Sequence, residues 1–168
     1  MALHQDLLRQ SQMLARYEPR KPKQASLRRA VSAAYFSLFH LLTAEATSRM
    51  VTGSNRVPLR YALGRAFSHA TMRDACTEIS KVNGGKLRDA LCGNSVPTDL
   101  KDVTRAFVDL QQMRHEADYD LSRVLTRLET LAPVTLAEQS VLKWRNIRKT
   151  IPADAFLFAL LAKHGMCR

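Results

Sequence analysis

The sequence has few of the residues and patterns that build disulfide, metal or nucleotide sites. Its three cysteines, Cys76, Cys92 and Cys167, form no Cys-x-x-Cys pair, and their odd number and wide spacing argue against a disulfide framework or a zinc site. The sequence also lacks GxGxxG, GxxxxGK[ST], HExxH and GxSxG segments. We therefore expect free thiols, no bound metal and no cofactor, with no support for dinucleotide, P-loop, zinc-protease or serine-hydrolase chemistry.

Long apolar runs are scarce as well. The longest uncharged run lies between Arg29 and Glu45 and is interrupted by serine, histidine and threonine, so it is too short and too polar to span a bilayer in the usual way. Asp6 and Arg9 stand where a secretory signal would need a continuous apolar stretch. We expect a cytoplasmic protein with no membrane partner.

The charge balance is strongly basic. Lys and Arg number 26 against 15 Asp and Glu, which gives a net charge of +11 over 168 residues. Such an excess favours polyanionic partners, nucleic acid first and acidic membrane second. An ordinary basic, soluble surface is an equally compatible interpretation. Hydrophobic residues make up 46% of the chain, which is typical of a globular protein rather than a disordered one.

Apolar residues recur at steps of three and four along most of the chain, which predicts helices throughout. The expected fold is all-α, an antiparallel bundle of about five to six helices in a single domain over residues 1–168, with a core bundle at 3–131 on which C-terminal helices at 135–164 pack. A loop is predicted at 83–97. The helices are predicted at 2–16, 22–50, 58–80 (weakened near Gly64), 98–131, 135–149 and from Pro152 to near Gly165.

The helix predicted from Thr98 carries the most regular apolar pattern. Its stripe runs from Leu100 to Leu131 without a fault, which indicates a buried seam. Pro133 is expected to break the pattern, and Thr135 with Glu138 forms a capping-box sequence that predicts the start of the next helix. The apolar segment AFLFALLA at 155–162 must be buried, in this bundle or in a partner.

One position of that seam is an arginine, Arg114. A guanidinium in a core costs several kcal/mol unless it is paired or reaches water, and Asp118, four residues later, or Glu45 on the second long helix could pair with it. His115 and Tyr119 are also four residues apart on the adjacent face. The segment RHEADYD at 114–120 is therefore either a buried ion pair that fixes helix register or a site that binds or cleaves phosphate.

RRAVSAAYFSLFH at 28–40, followed by RHEADYDL at 114–121, resembles the HEPN (higher eukaryotes and prokaryotes nucleotide-binding) superfamily, and most of all its small bacterial single-domain members. The resemblance extends over residues 3–131. It implies an all-α bundle with an antiparallel pair of long helices, and frequently a homodimer. Active members are metal-independent ribonucleases, many of them toxins neutralised by a partner of the nucleotidyltransferase fold.

In that family the motif arginine stabilises the phosphate charge and a histidine assists proton transfer while the RNA 2′-hydroxyl attacks the adjacent phosphate. Arg114 matches the motif arginine and His115 the polar residue after it, whereas Tyr119 stands where the catalytic histidine is expected. Tyrosine, with an unperturbed pKa of about 10, is a poor base at neutral pH. Either His115 takes over proton transfer, or the domain is an inert module that binds RNA, a nucleotide or a nucleotidyltransferase without cleaving.

Other basic residues are candidates for nucleic-acid contact. Arg28 and Arg29 could line the mouth of the same cleft, or they could be a solvated helix start. Lys143 and Arg145 flank Trp144 on a basic face that is compatible with RNA. The lone His40 is expected to be a structural residue.

Overall fold

The computed structural model describes residues 2–81, 91 and 94–162, and within these ranges the chain is all-α, as predicted. A short 3₁₀ turn, Ser54–Arg56, precedes α3. No helix in the described part of the chain is long and apolar enough to cross a membrane. The described residues form seven α-helices: α1 Leu3–Arg16, α2 Gln24–Met50, α3 Val57–Gly64, α4 His69–Ser80, α5 Thr98–Tyr119, α6 Arg127–Ile147 and α7 Ile151–Ala162.

The contacts between residues divide the chain into two compact units. The first unit comprises Met1–His40 and Ala106–Leu142, and the second Leu41–Arg105 and Lys143–Arg168. Helices α2, α5 and α6 each contribute residues to both units. The sequence-based prediction of one domain stays a prediction.

The first unit is built from α1 and from parts of α2, α5 and α6. Leu27 and Val31 of α2 pack with Ala117 at the end of α5 and Leu125 in the following loop, and Met113 packs against this cluster. Burying such side chains contributes about 1.5–3 kcal/mol for each larger aliphatic group. The apolar side of α2 is thereby fixed against the C-terminal part of α5.

The second unit contains α3, α4 and α7, and α4 contacts α7. The rings of Trp144 and Phe156 lie 6.2 Å apart, and both side chains are fully buried. Pro152 stands in the first turn of α7, as predicted. The prediction that the AFLFALLA segment is buried is confirmed for Ala155, Phe156, Leu157, Ala159 and Leu160, but it is wrong for Phe158, which is 43% exposed.

Two helices replace the single one predicted at 58–80. Helix α3 ends at Gly64, and α4 starts anew because the Ser68 side chain accepts a hydrogen bond from the Thr71 amide at 3.1 Å, which satisfies one of the free N–H groups of the first turn. Of the other predictions, most of the 83–97 loop, Cys92, Cys167 and the helix end near Gly165 lie outside the described residues.

The prediction of a helix through residue 131 is wrong. Helix α5 ends at Tyr119, and α6 begins at Arg127 and continues through Pro133. Leu121, Val124 and Leu128 are 85%, 72% and 80% exposed, so this part of the stripe is no core seam. A proline inside a helix removes one backbone hydrogen bond, and this single loss does not end α6.

The start of α6 has a capping box that differs from the predicted one. The Glu129 carboxylate accepts hydrogen bonds from the Thr126 amide at 2.8 Å and the Thr126 hydroxyl, and the Glu129 amide donates to that hydroxyl at 3.2 Å. These hydrogen bonds lower the pKa of Glu129. Thr135, the predicted cap, lies exposed inside the helix instead.

Substitutions at the two threonines distinguish these caps. Thr126→Ala removes the reciprocal hydrogen bonds and should lower the free energy of unfolding by about 1 kcal/mol. Thr135→Ala, the matched control, should be neutral or stabilising by a few tenths of a kcal/mol, because alanine has the better helix propensity. Urea denaturation of both variants measures the difference. A larger loss for Thr135→Ala would contradict the observed helix boundary.

Candidate functional site

The candidate site lies at the C-terminal end of α5, where α2 of the same unit supports it. The supporting residues of α2 are four residues apart, so each stands roughly one helical turn after the last. They contact α5 and the loop that follows it through a carboxamide, a guanidinium, a hydroxyl and an aromatic ring. These residues are Gln24, Arg28, Ser32 and Phe36.

Arg28 caps the C-terminus of α5. Its guanidinium donates to the Ala117 carbonyl at 2.6 Å, to the Asp120 carbonyl at 3.0 and 3.1 Å, and to the Arg123 carbonyl in the loop. The last carbonyls of a helix have no partner within the helix and carry its negative dipole end, so a cation there is favourable. The two terminal nitrogens of Arg28 are thus bonded to the chain's own backbone.

The loop after α5 is held at a second point. The Gln24 side chain donates to the Leu125 carbonyl at 2.8 Å and accepts from the Leu125 amide at 2.9 Å. Within the loop, the Asp120 carboxylate accepts from the amide and hydroxyl of Ser122, and these bonds lower the pKa of Asp120. The helix end and its loop are therefore fixed to the start of α2.

Arg114 forms an ion pair with Asp118, one of its two predicted partners. Arg114 Nε lies 2.7 Å from Asp118 Oδ2, and the two side chains are 22% and 24% exposed. The Nε–H group is not aligned for a hydrogen bond, so the contact is chiefly electrostatic. Ser32 Oγ donates to the other oxygen of the same carboxylate. Glu45, the second predicted partner, pairs instead with Arg148 at 2.8 Å.

Two aromatic rings lie close to the Arg114 guanidinium. Its central carbon is 5.5 Å from the ring centroid of Phe36 and 5.6 Å from that of Tyr119. Both distances allow cation–π attraction, worth about 0.5–2 kcal/mol depending on desolvation. Asp118 and the two rings together restrict where this guanidinium can lie.

His115 and Tyr119 form the outer part of the cluster. Their ring centroids lie 4.9 Å apart at an interplanar angle of 46°, and both residues are exposed. His40 of α2 stacks on Phe36, with the two ring centroids 6.2 Å apart. Burial lowers the pKa of His40. We name the group Arg114, His115, Asp118 and Tyr119 the α5 cluster.

The α5 cluster combines groups that act on phosphate esters. A guanidinium can donate two parallel hydrogen bonds to phosphate, and an exposed imidazole can accept or donate a proton near neutral pH. Beside Asp118 a groove of about 480 Å³ opens between α1, α2 and α5, with Leu14, Arg28 and Arg29 in its lining. In the described part of the chain, no group of His, Cys, Asp or Glu is arranged to hold a metal ion.

The remaining sequence-predicted contacts differ in their surroundings. Arg29 is exposed on α2 and lines the groove beside Asp118 together with Arg28. Lys143 and Arg145 belong to the second unit, where Lys143 donates to Asp102 at 2.6 Å and Arg145 is exposed.

Sequence reasoning did not single out Ser32 and Phe36 as parts of the site. The available signal was their spacing, since both follow Arg28 at four-residue steps within RRAVSAAYFSLFH. That spacing indicates that Ser32 and Phe36 lie on one side of α2, but it does not indicate which helix they contact.

Comparisons with protein-family models, curated proteins and solved structures give no match for this chain. The resemblance to the HEPN superfamily stays an expectation that depends on the residues quoted above.

Matched substitutions at Arg28 and its neighbour Arg29 test the capping role of Arg28. Arg28→Met removes the hydrogen bonds to the α5 carbonyls and should lower the free energy of unfolding by about 2 kcal/mol. Arg29→Met, an equal change at an exposed neighbouring position, should alter it by less than about 0.5 kcal/mol. Chemical denaturation measures both, and equal effects of the two changes would contradict the assigned role.

Proposed function

We propose that this protein is an RNA-interacting protein of the HEPN type that cleaves RNA without a metal ion through its α5 cluster. The observation that carries the proposal is the exposed His115–Tyr119 ring pair beside a guanidinium that Asp118, Phe36 and Tyr119 hold. The net charge of +11 supports a polyanionic substrate. The resemblance of the motif residues to those of HEPN ribonucleases supports the reaction class.

The proposed reaction is an internal transfer of the phosphodiester. The 2′-hydroxyl of a bound nucleotide attacks the adjacent phosphorus while His115 accepts its proton, and Arg114 stabilises the charge that develops on the phosphoryl oxygens. The bond from phosphorus to the 5′ oxygen breaks, leaving a 2′,3′-cyclic phosphate and a 5′-hydroxyl. In a homodimer, His115 of a facing second copy donates the proton that the 5′ oxygen needs.

Tyr119 has a supporting role in this proposal. Its ring contacts both His115 and Arg114, so its hydroxyl can orient the imidazole or the 2′-hydroxyl by hydrogen bonding.

A second candidate function is a module that binds without cleaving. Two features favour it: Asp118 already neutralises Arg114 within the chain, and tyrosine replaces the expected motif histidine at position 119. Such a module would bind RNA or a nucleotide, or it would act as an adaptor that pairs with a nucleotidyltransferase-fold protein or another protein.

Cleavage of a labelled single-stranded RNA in the presence of EDTA tests the proposed activity. His115→Ala and Arg114→Ala should each reduce the rate about 10²-fold or more, because each removes a group that acts in the transition state. Tyr119→Phe should cost less. Arg105→Ala, on the same helix and with its side chain 62% exposed, is the matched control and should retain the wild-type rate.

Two outcomes would contradict this assignment. A full rate in His115→Ala would exclude His115 as the proton-transfer group. Tight RNA binding by the wild-type protein without any cleavage would favour the non-cleaving module.

A further inference from the structure

Helix α3 has no buried residue, unlike a helix that packs on a core. A surface helix of a globular protein normally buries one apolar stripe, but none of Val57–Gly64 is buried. Val57, Leu59 and Tyr61 are 40%, 53% and 73% exposed. Leu63 is partly buried, so most of the large apolar side chains of this helix face solvent.

The charge around α3 is of one sign. No Asp or Glu occurs from Ala46 to Arg73, a stretch that contains five arginines. Two of the five are engaged within the chain: Arg49 pairs with Asp154 at 3.1 Å, and Arg60 donates to the carbonyls of Val51 and Gly53. The other three, Arg56, Arg65 and Arg73, are exposed.

The positions of the exposed residues favour a nucleic-acid strand over a protein or a lipid surface. Val57 and Tyr61 are four residues apart on one side of α3, and Arg65, in the turn that follows the helix, is four residues further on. Leu59 is two positions from Val57 and Tyr61 and lies on the opposite side. The apolar residues thus form no continuous patch to bury in a partner. An exposed aromatic ring about one turn from a cationic side chain is an arrangement on which single-stranded nucleic acids stack.

We propose that α3 is a second binding element for single-stranded RNA, separate from the α5 cluster. A base stacks on the Tyr61 ring, and the guanidinium group of Arg65, four residues further along, contacts an adjacent phosphate. The choice of RNA as the polyanion rests on the proposed function, but binding at α3 needs no cleavage. The hydrogen bonds of Arg60 to Val51 and Gly53 fix the turn from which the helix starts.

Fluorescence anisotropy with a labelled 20-nucleotide single-stranded RNA tests this proposal, using the full chain with His115→Ala so that the probe stays intact. Tyr61→Ala should raise Kd about 5-fold or more, the scale of losing one base–aromatic stack. Tyr61→Phe keeps the ring and should stay within about 2-fold of the unsubstituted Kd.

Arg65 is tested through salt dependence. Arg65→Ala should reduce the slope of log Kd against log salt by about 0.7, the value for one phosphate contact on a single strand. Arg105→Ala removes the same charge elsewhere in the second unit and should leave the slope unchanged. Since Tyr61, Arg65 and Arg105 are all exposed, the thermal unfolding transition of each variant, followed by circular dichroism, should match that of the parent.

An unchanged Kd in Tyr61→Ala would overturn the proposal. It would also be overturned if oligoglutamate bound as tightly as the RNA and lost equal affinity in Tyr61→Ala, because an acidic protein segment would then be the better partner. Failure of the proposed function is a separate result: a wild-type protein that cleaves no RNA leaves the effects of the α3 substitutions on Kd intact.

Discussion

The position of the C-terminal end of α5 depends on a guanidinium from another helix. Arg28 of α2 donates to carbonyls in the last turn of α5 and in the following loop, where unpaired acceptors and the helix dipole favour a cation. Helix α5 therefore stops at Tyr119 instead of continuing along the apolar pattern. Arg114 and Tyr119 consequently occupy the last two turns of a helix whose end is fixed, and His115 stays exposed beside them.

The same side of α2 also determines the setting of Arg114. Ser32 holds the carboxylate that pairs with it, and Phe36 lies under its guanidinium. A charged group restrained in this way loses little conformational entropy when it meets a phosphate, which is what preorganised stabilisation of charge requires. The ion pair with Asp118 offsets part of that advantage, because an incoming phosphate must compete with a carboxylate for the same cation.

Periodicity predicted the fold class but not every helix end. Steps of three and four indicated helices, and the four-residue spacing of Arg114 and Asp118 indicated their pairing. The all-apolar character of the AFLFALLA segment indicated its burial, which holds for most of its residues but not for Phe158. The pattern continues by coincidence through Leu121, Val124 and Leu128, which are exposed. Thr126–Glu129 and Thr135–Glu138 are both capping-box sequences, and spacing alone cannot choose between them. The contacts of Arg28, Ser32 and Phe36 with α5 depend on tertiary packing, which no local pattern encodes.

A double-mutant cycle on Ser32 and Arg114 tests the central claim that α2 and α5 share one supported cluster. Both side chains bind the Asp118 carboxylate, so the losses in unfolding free energy for Ser32→Ala and Arg114→Met should not add. Residues with a common partner typically show a coupling energy of about 0.5–3 kcal/mol. Denaturant unfolding of the two single variants and the double variant measures it. Additivity within about 0.3 kcal/mol would contradict the claim.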